Sequence, residues 1–507
     1  MNSKHSPIFS LKNFRSFGDD HNDFELAPIT VLTGRNSSGK SSLVKAMLLL
    51  SKQLNQRLGS PVPDYFASAY FKTSGHGLNL GGFSSVINEQ ATDCMLTLSY
   101  RIWSVFLNEE VVCKRTYHKN ENDGINIGKL CSLTIENTNG DKIYQGHFPI
   151  LEGNQTYVDE DGEEYPPFYK YYKHGEWNHE IIEKSLNQSG LEYEEISHLI
   201  QQRELNIFVS NDSLRLKILA RFGEKKKKAG EEIYKANAYR KLVFDEIVTP
   251  WFLRDISYID SSTNEIQRTC NVKNKDKFSQ IIDRLINQND REKEIMGDDD
   301  NLFQSSYTVS SKWLKLFGIG DSVEIYRLVN DEEFFQVYVN KDGKRKLLAD
   351  EGYGITQLVS IILQLELCKQ SDEYIILDFD EDEFSKKYTL KRTKTIYIEE
   401  PEVHLHPQYQ SMLAEMFAEA YLNHGIRFVI ETHSEYLIRK LQVLVADKDS
   451  KLKASDVSLN YVDKGLDGVA TNRKIGIADD GRLMDSFGEG FFDEAGGLSR
   501  QLLILSL

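Results

Sequence analysis

Cysteine is scarce and unpaired in this chain. Its five cysteines, Cys94, Cys113, Cys131, Cys270 and Cys368, are odd in number and scattered, and no two form a CxxC pair. That pattern argues against both a disulfide framework and a structural zinc site. No uninterrupted apolar run is long enough to span a bilayer, and Met1 to Pro7 lacks the apolar stretch of a signal peptide. The expectation is a cytoplasmic protein with no membrane partner. Positive charge is also short: 61 Lys and Arg against 77 Asp and Glu leave a net charge of -16. This disfavours a protein that coats nucleic acid over its whole surface, yet leaves a local basic groove open. No repeat of fixed period is visible.

What is present is the composition of a globular protein, 40% hydrophobic and 27% charged over 507 residues, enough for about three domains. The stretch that organises the chain is Gly34-Arg35-Asn36-Ser37-Ser38-Gly39-Lys40-Ser41-Ser42, which matches G-x-x-x-x-G-K-[ST]. The apolar run Ile29 to Leu32 leads into it and a helical pattern from Leu43 to Leu50 leads out, the strand, loop, helix context that phosphate binding needs. Gly34 and Gly39 let successive N–H groups point into one concavity, and the helix N-terminus adds partial positive charge. Lys40 reaches the β- and γ-phosphates of ATP, the Ser41 hydroxyl ligates Mg²⁺, and Ser42 is a further phosphate contact.

A second site follows from Thr395-Ile396-Tyr397-Ile398-Glu399-Glu400-Pro401-Glu402, a buried-type strand ending in two carboxylates. Adjacent strand residues point to opposite sides, so the two carboxylates have different jobs. Spacing assigns Glu399 to the metal and Glu400 to the water that attacks the γ-phosphate. His404 and His406 share a face, but without a third ligand a metal pair is the weaker reading. The strand Ile426 to Thr432 ends in His433, placed to sense a γ-phosphate as donor or through charge.

The rest of the chain is less specific. Ile8 to Phe14, Met95 to Tyr100, Cys131 to Ile135 and Phe334 to Val339 read as strands, Asn139-Gly140-Asp141 and Lys341 to Lys344 as hairpin turns, and Lys277 to Ile286 as a helix. Lys225 to Lys228, with Tyr234 and Tyr239 nearby, tempts a nucleic-acid reading; a solvated helix face is the better one. Asp298 to Asp300, the acidic loop Asp159 to Glu164, and Asp378-Phe379-Asp380 read as solvated loops.

Together these motifs resemble the ABC-type ATPases of the RecF, SMC and OLD kind, especially bacterial AAA-15, AAA-21 and DUF3696 ATPases. The resemblance rests on LKNFRSF, TGRNSSGKSS, DEGYGITQ, YIEEPEVHLHP and IETHS, in that order, and covers about residues 8 to 90 and 335 to 480. It implies an α/β fold: an ABC-type ATPase head with a mixed sheet and P-loop, plus a large inserted α+β lobe. The expected domains are 1–90 and 335–507, the two halves of the ATPase, around an inserted lobe at 91–334. It implies that Gly354 and Gln357 stand in a signature loop donated across a head-to-tail dimer, with Gly352 where a serine is usual. Glu400 would be the hydrolytic base, Pro401 to His406 a dimer-facing loop and His433 the switch histidine. Arg15 would also touch phosphate, and Gln90 is a weak Q-loop candidate.

The expected function is that of a slow, Mg²⁺-dependent ATPase acting as a homodimeric sensor, with higher oligomers open. It would regulate a separate effector, an HNH nuclease or a toxin, as antiphage ATPases of the Septu or retron-associated kind do. The alternative is an OLD-like or RecF-like ATPase that itself binds or cuts DNA. A transporter subunit is disfavoured by the inserted lobe.

Overall fold

The computed structural model describes residues 6–55, 70–75, 78–119, 127–147, 157–158, 164–165, 176–189, 240, 243, 246–254, 256–260, 266–271, 273, 276–296, 308–328, 331–370, 394–488 and 491–505. Lys225 to Lys228, Tyr234, Tyr239, Asp298 to Asp300, Asp159 to Glu163 and Asp378 to Asp380 lie outside the described residues. Contacts divide the chain into two compact units. Among the described residues no helix is long and apolar enough to cross a membrane.

One unit comprises Met1–Leu26, Ser42–Arg254 and Lys464–Asn472. Its main sheet is antiparallel: Asn22–Glu25, Ile8–Lys12, Met95–Ser104, Glu109–Lys119, Gly128–Asn137 and Lys142–His147 pair in that order. Alternation sets the faces. Along Glu109–Lys119 the side chains of Val111, Cys113, Arg115 and Tyr117 are buried, and those between them are not. Arg115 is tolerated there because its guanidinium donates to the Val248 carbonyl at 2.8 Å, and the Tyr100 hydroxyl donates to the Ile247 and Val248 carbonyls at 2.8 and 2.9 Å. The expected turn at Asn139-Gly140-Asp141 is made, with Gly140 in the left-handed region.

The other unit comprises Ala27–Ser41, Asp255–Asp463 and Arg473–Leu507. Its sheet runs Ile256–Ile259, Thr395–Glu399, Arg427–Glu431, Ile29–Gly34 and Val457–Lys464, and each of the four neighbouring pairs is parallel. Parallel strands are covered on both faces, which is why Ile29–Gly34 is buried at every position and Thr395–Glu399 at all but its last. The helices Tyr353–Gln370, Pro407–His424 and Glu435–Ala446 belong to the same unit, and the core gathers Ile29, Val31, Leu358, Ile362, Ile396, Phe417 and Leu437. A smaller antiparallel sheet pairs Asp331–Lys341 with Ser322–Leu328 and Lys344–Leu347, the latter through the expected turn, where Asp342 and Gly343 have φ of 49° and 70°. The fold is α/β, with a phosphate-loop sheet and a separate antiparallel sheet, as the motifs imply.

The contact units do not follow the expected boundaries at 90 and 334. Ile256–Ile259, expected inside the insertion, is a strand of the phosphate-loop sheet, in register with Thr395–Glu399. The amino-terminal strands Ile8–Lys12 and Asn22–Glu25, within the expected domain 1–90, pair in the antiparallel sheet of the other unit. Both differences come from pairing across long sequence separations, which periodicity does not encode.

Sheet geometry imposes one glycine. At Gly34 φ is 140°, and an added Cβ would stand 2.0 Å from the Val462 carbonyl oxygen of the neighbouring strand. At Gly352 an added Cβ meets nothing. Gly34→Ala is expected to cost on the order of 3 kcal/mol, seen as a fall in melting temperature, and Gly352→Ala to leave that temperature unchanged. Equal melting temperatures for the two variants contradict this account of the strand ends.

Candidate functional site

Because the strands run parallel, their carboxyl ends lie on one edge of the sheet, where ligands of open α/β sheets bind. Register fixes who meets whom. Glu399 pairs with Glu431, Glu431 with Leu32, and Gly34 with Val462. The strand carrying Glu431 therefore stands between the strand that feeds the phosphate loop and the strand that ends in Glu399.

The loop itself is built from unusual backbone. Gly34 and Gly39 have φ of 140° and 112°, and Ser37, which is not glycine, sits at 60°. Such a run of conformations aims N–H groups inward to form an anion nest. Arg35, Asn36 and Ser37 are exposed, whereas Ser38 is buried with its hydroxyl lacking a hydrogen-bond partner. The Lys40 ammonium is folded onto the loop, donating to the carbonyls of Gly34 at 3.1 Å and Arg35 at 2.9 Å. Burial lowers its pKa, against the opposing pull of Glu431, Glu400 and Glu402. Ser42 is buried on the first turn of the helix Lys40–Asn55.

The acidic side of the edge is held by backbone. Glu400 lies in the left-handed region with φ of 48°; its N–H donates to the Glu431 carbonyl at 2.7 Å and its own carbonyl accepts from Gln357 Nε2 at 3.0 Å. Glu402 accepts from the His433 N–H at 2.6 Å. The Tyr258 hydroxyl hydrogen-bonds the Glu399 carboxylate. His433 has its pKa lowered by burial and by the Lys40 charge, against the pull of Glu400.

Gly354 and Gln357 have defined roles within the chain. The resemblance implies Gly354 and Gln357 as groups offered to a ligand on another subunit. Gln357 is instead 0% exposed, and what it donates to is the Glu400 carbonyl of its own chain. An added Cβ at Gly354 would stand 2.6 Å from the His404 carbonyl, so this glycine allows the helix start to pack on the Glu400 to His404 turn. Within the chain both pack the helix start onto that turn, and the exposed groups at this helix start are Gly352 and Tyr353. The histidines also have local duties. His406 caps the helix Pro407–His424 by accepting from the Gln408 N–H at 3.3 Å, and the His404 ring lies 6.0 Å from that of Tyr353.

Arg15 belongs to the other unit, on an exposed turn with φ of 54° whose N–H donates to the Val86 carbonyl at 2.7 Å. The Gln90 amide in that unit donates to the Asp467 carbonyl.

The residue that sequence reasoning missed is Glu431. Its Oε1 accepts from the Ser41 hydroxyl at 2.9 Å, and its Oε2 is buried without a hydrogen-bond partner. Burial first, then the charge of Glu399, push its pKa up to about 7, against the Ser41 hydrogen bond and the Lys40 charge. The signal in the sequence was a carboxylate closing an otherwise apolar strand two residues before His433. A hydroxyl beside the carboxylates of Glu431 and Glu399 is a donor set suited to a hard cation such as Mg²⁺. Among the described residues no group of three or more His, Cys, Asp or Glu is placed to hold a metal.

A family model described as AAA_15, AAA ATPase domain, matches residues 8–438. No curated protein matches the chain. Among solved structures, the Smc head domain with a coiled coil and joint from Pyrococcus yayanosii is 13% identical, with 94% of this chain and 98% of that one covered and a TM-score of 0.40. The SMC head domain from Thermotoga maritima is 11% identical, with 93% and 100% covered and a TM-score of 0.34. An SmcHead bound to the C-winged helix domain of ScpA is 11% identical, with 93% and 98% covered and a TM-score of 0.43. Likenesses this loose carry no residue role and no partner across to this chain.

The raised pKa of Glu431 has a sign in stability. From the ordinary value of 4.5 to about 7, the folded chain holds this proton more tightly than the unfolded one. Stability therefore falls as pH rises through that window, by at most on the order of 3 kcal/mol. Without metal, Glu431→Gln is expected to melt higher than wild type at pH 8 and to converge with it near pH 5. A difference that is the same at both pH values contradicts this.

Proposed function

The chain belongs to the AAA_15 family of AAA ATPase domains, and from that premise we propose that it binds and slowly hydrolyses ATP with Mg²⁺ as a head-to-tail dimer regulating a separate effector. The observation that carries the ATPase reading is the placement of Lys40, Ser41, Glu399 and Glu400 on one sheet edge of a single compact unit. On this reading the loop N–H groups from Gly34 to Ser41 cradle the phosphates, and the helix N-terminus behind them favours negative charge. Lys40 leaves its two loop carbonyls to meet the β- and γ-phosphates. Ser41 and Glu399 would hold Mg²⁺, which neutralises charge developing on the transferred phosphoryl group.

Glu400 orients and deprotonates the attacking water. Its backbone is fixed on both sides, by the Glu431 carbonyl and by Gln357, so that side-chain freedom is confined to the carboxylate. His433, anchored through its N–H by Glu402, donates a hydrogen bond to the γ-phosphate.

The dimer reading draws support from the other end of the same turn. Tyr353 is 58% exposed beside His404, on a helix start that is packed by Gly354 and tied by Gln357 to the residue that activates water. A second subunit docking on Gly352, Tyr353 and His404 would press on the position of Glu400. Pairing with an HNH nuclease or a toxin in antiphage defence rests on the likeness of the motifs to Septu- and retron-associated ATPases, and retention of a neighbouring gene product through purification of the native complex checks it.

The test is Glu400→Gln. Loss of general-base catalysis is expected to lower the ATP hydrolysis rate by at least about a hundredfold, while ATP with Mg²⁺ shifts the variant from monomer to dimer in size-exclusion chromatography. Hydrolysis at the wild-type rate contradicts the role of Glu400; absence of any ATP-dependent assembly contradicts the dimer.

A further inference from the structure

Glu431 stands where the phosphate loop, the Glu399 strand and the helix N-terminus meet, and nothing in the hydrolytic scheme uses its carboxylate. Three observations bear on what it does. First, Glu399 and Glu431 are register partners on adjacent parallel strands, so their side chains leave the same face of the sheet about 5 Å apart. Second, Glu431 is only 6% exposed, and its Oε2 has no hydrogen-bond partner. An unpartnered carboxylate oxygen that deep is costly unless something cationic meets it in another state. Third, its other oxygen accepts from the hydroxyl of Ser41, the loop residue assigned to the metal.

Among the described residues, helix and sheet give Glu431 no basic neighbour to neutralise it fully. Lys40 is the cation that opposes its charge, and Lys40 faces Glu400 and Glu402 as well. Glu399, by contrast, is steadied from the side by the Tyr258 hydroxyl.

We propose that Glu431 is a second carboxylate of the metal site: it holds the Ser41 hydroxyl when the cation is absent, and faces the cation together with Glu399 when nucleotide and metal bind. The Ser41 hydroxyl then exchanges one partner for another without passing through an unpaired state. The departure of Lys40 toward phosphate removes the charge that opposed Glu431, and the divalent cation replaces it. The inference rests on the ATPase reading of the site, and it adds a ligand that the motif spacing does not assign.

A purely structural Glu431, serving only to orient Ser41, is the competing account. Glutamine separates the two, because its amide oxygen still accepts from the Ser41 hydroxyl but brings no charge. The experiment titrates Mn²⁺ into full-length wild type, Glu431→Gln and Glu399→Gln, each with a non-hydrolysable ATP analogue, and follows bound Mn²⁺ by electron paramagnetic resonance. Affinity for the analogue alone is measured in parallel in EDTA.

The expected result is a loss of at least about tenfold in Mn²⁺ affinity for Glu431→Gln, comparable with Glu399→Gln, with analogue affinity in EDTA no weaker than that of wild type. Wild-type Mn²⁺ affinity in Glu431→Gln, beside a clear loss in Glu399→Gln, overturns the proposal and leaves the ATPase reading standing. A wild type that takes up neither analogue nor Mn²⁺ overturns both.

Discussion

The edge of the phosphate-loop sheet is organised around one buried ammonium. Lys40 is 3% exposed and faces Glu431, Glu400 and Glu402. Charges this far out of water are tolerated only when paired and hydrogen-bonded, and three carboxylates against one lysine leave an excess of negative charge. The geometry divides that excess. Glu402 is occupied by the His433 N–H, Glu431 by the Ser41 hydroxyl, and burial raises the pKa of both. The ligand-free edge is thus electrostatically incomplete in a specific way: it has phosphate donors parked on their own loop and carboxylates short of a cation. A magnesium nucleotide carries both missing charges.

Holding these groups in place requires backbone that most residues avoid. Ser37, Glu400 and His404 all have positive φ, each costing on the order of 1–3 kcal/mol. The strain is distributed along the edge where the ligand would sit, and it is sustained by the rigid sheet beneath. Glu400 illustrates the coupling. Its N–H is bound to the neighbouring strand and its carbonyl to Gln357, at the start of the helix Tyr353–Gln370. A displacement of that helix start would therefore be transmitted to Glu400.

Local chemistry was legible in the sequence, and long-range pairing was not. The phosphate loop declares itself because its glycines, lysine and serine act within nine consecutive residues, and the Glu399-Glu400 pair because it closes a strand. The hairpins at Asn139-Gly140 and Asp342-Gly343 were legible for the same reason. Glu431 was hidden in plain sight: its importance comes from lying in register with Glu399 and within reach of Ser41, neither of which is near it in sequence. The strand Ile256–Ile259 is four residues without a motif, and its place in the sheet is set by pairing with a strand more than a hundred positions away. The burial of Gln357 is likewise a property of packing, which its place in a motif does not encode.

The central claim is that the loop from Gly34 to Ser41 and the carboxylate edge form one nucleotide site. Equilibrium titration of wild type and Lys40→Ala with a fluorescent ATP analogue in Mg²⁺ tests it without reference to turnover or assembly. The account predicts saturable binding to wild type and an affinity at least about tenfold weaker for Lys40→Ala, as expected for loss of a charge-assisted contact to phosphate. Equal affinity of the two proteins, or no saturable binding to wild type, would contradict it.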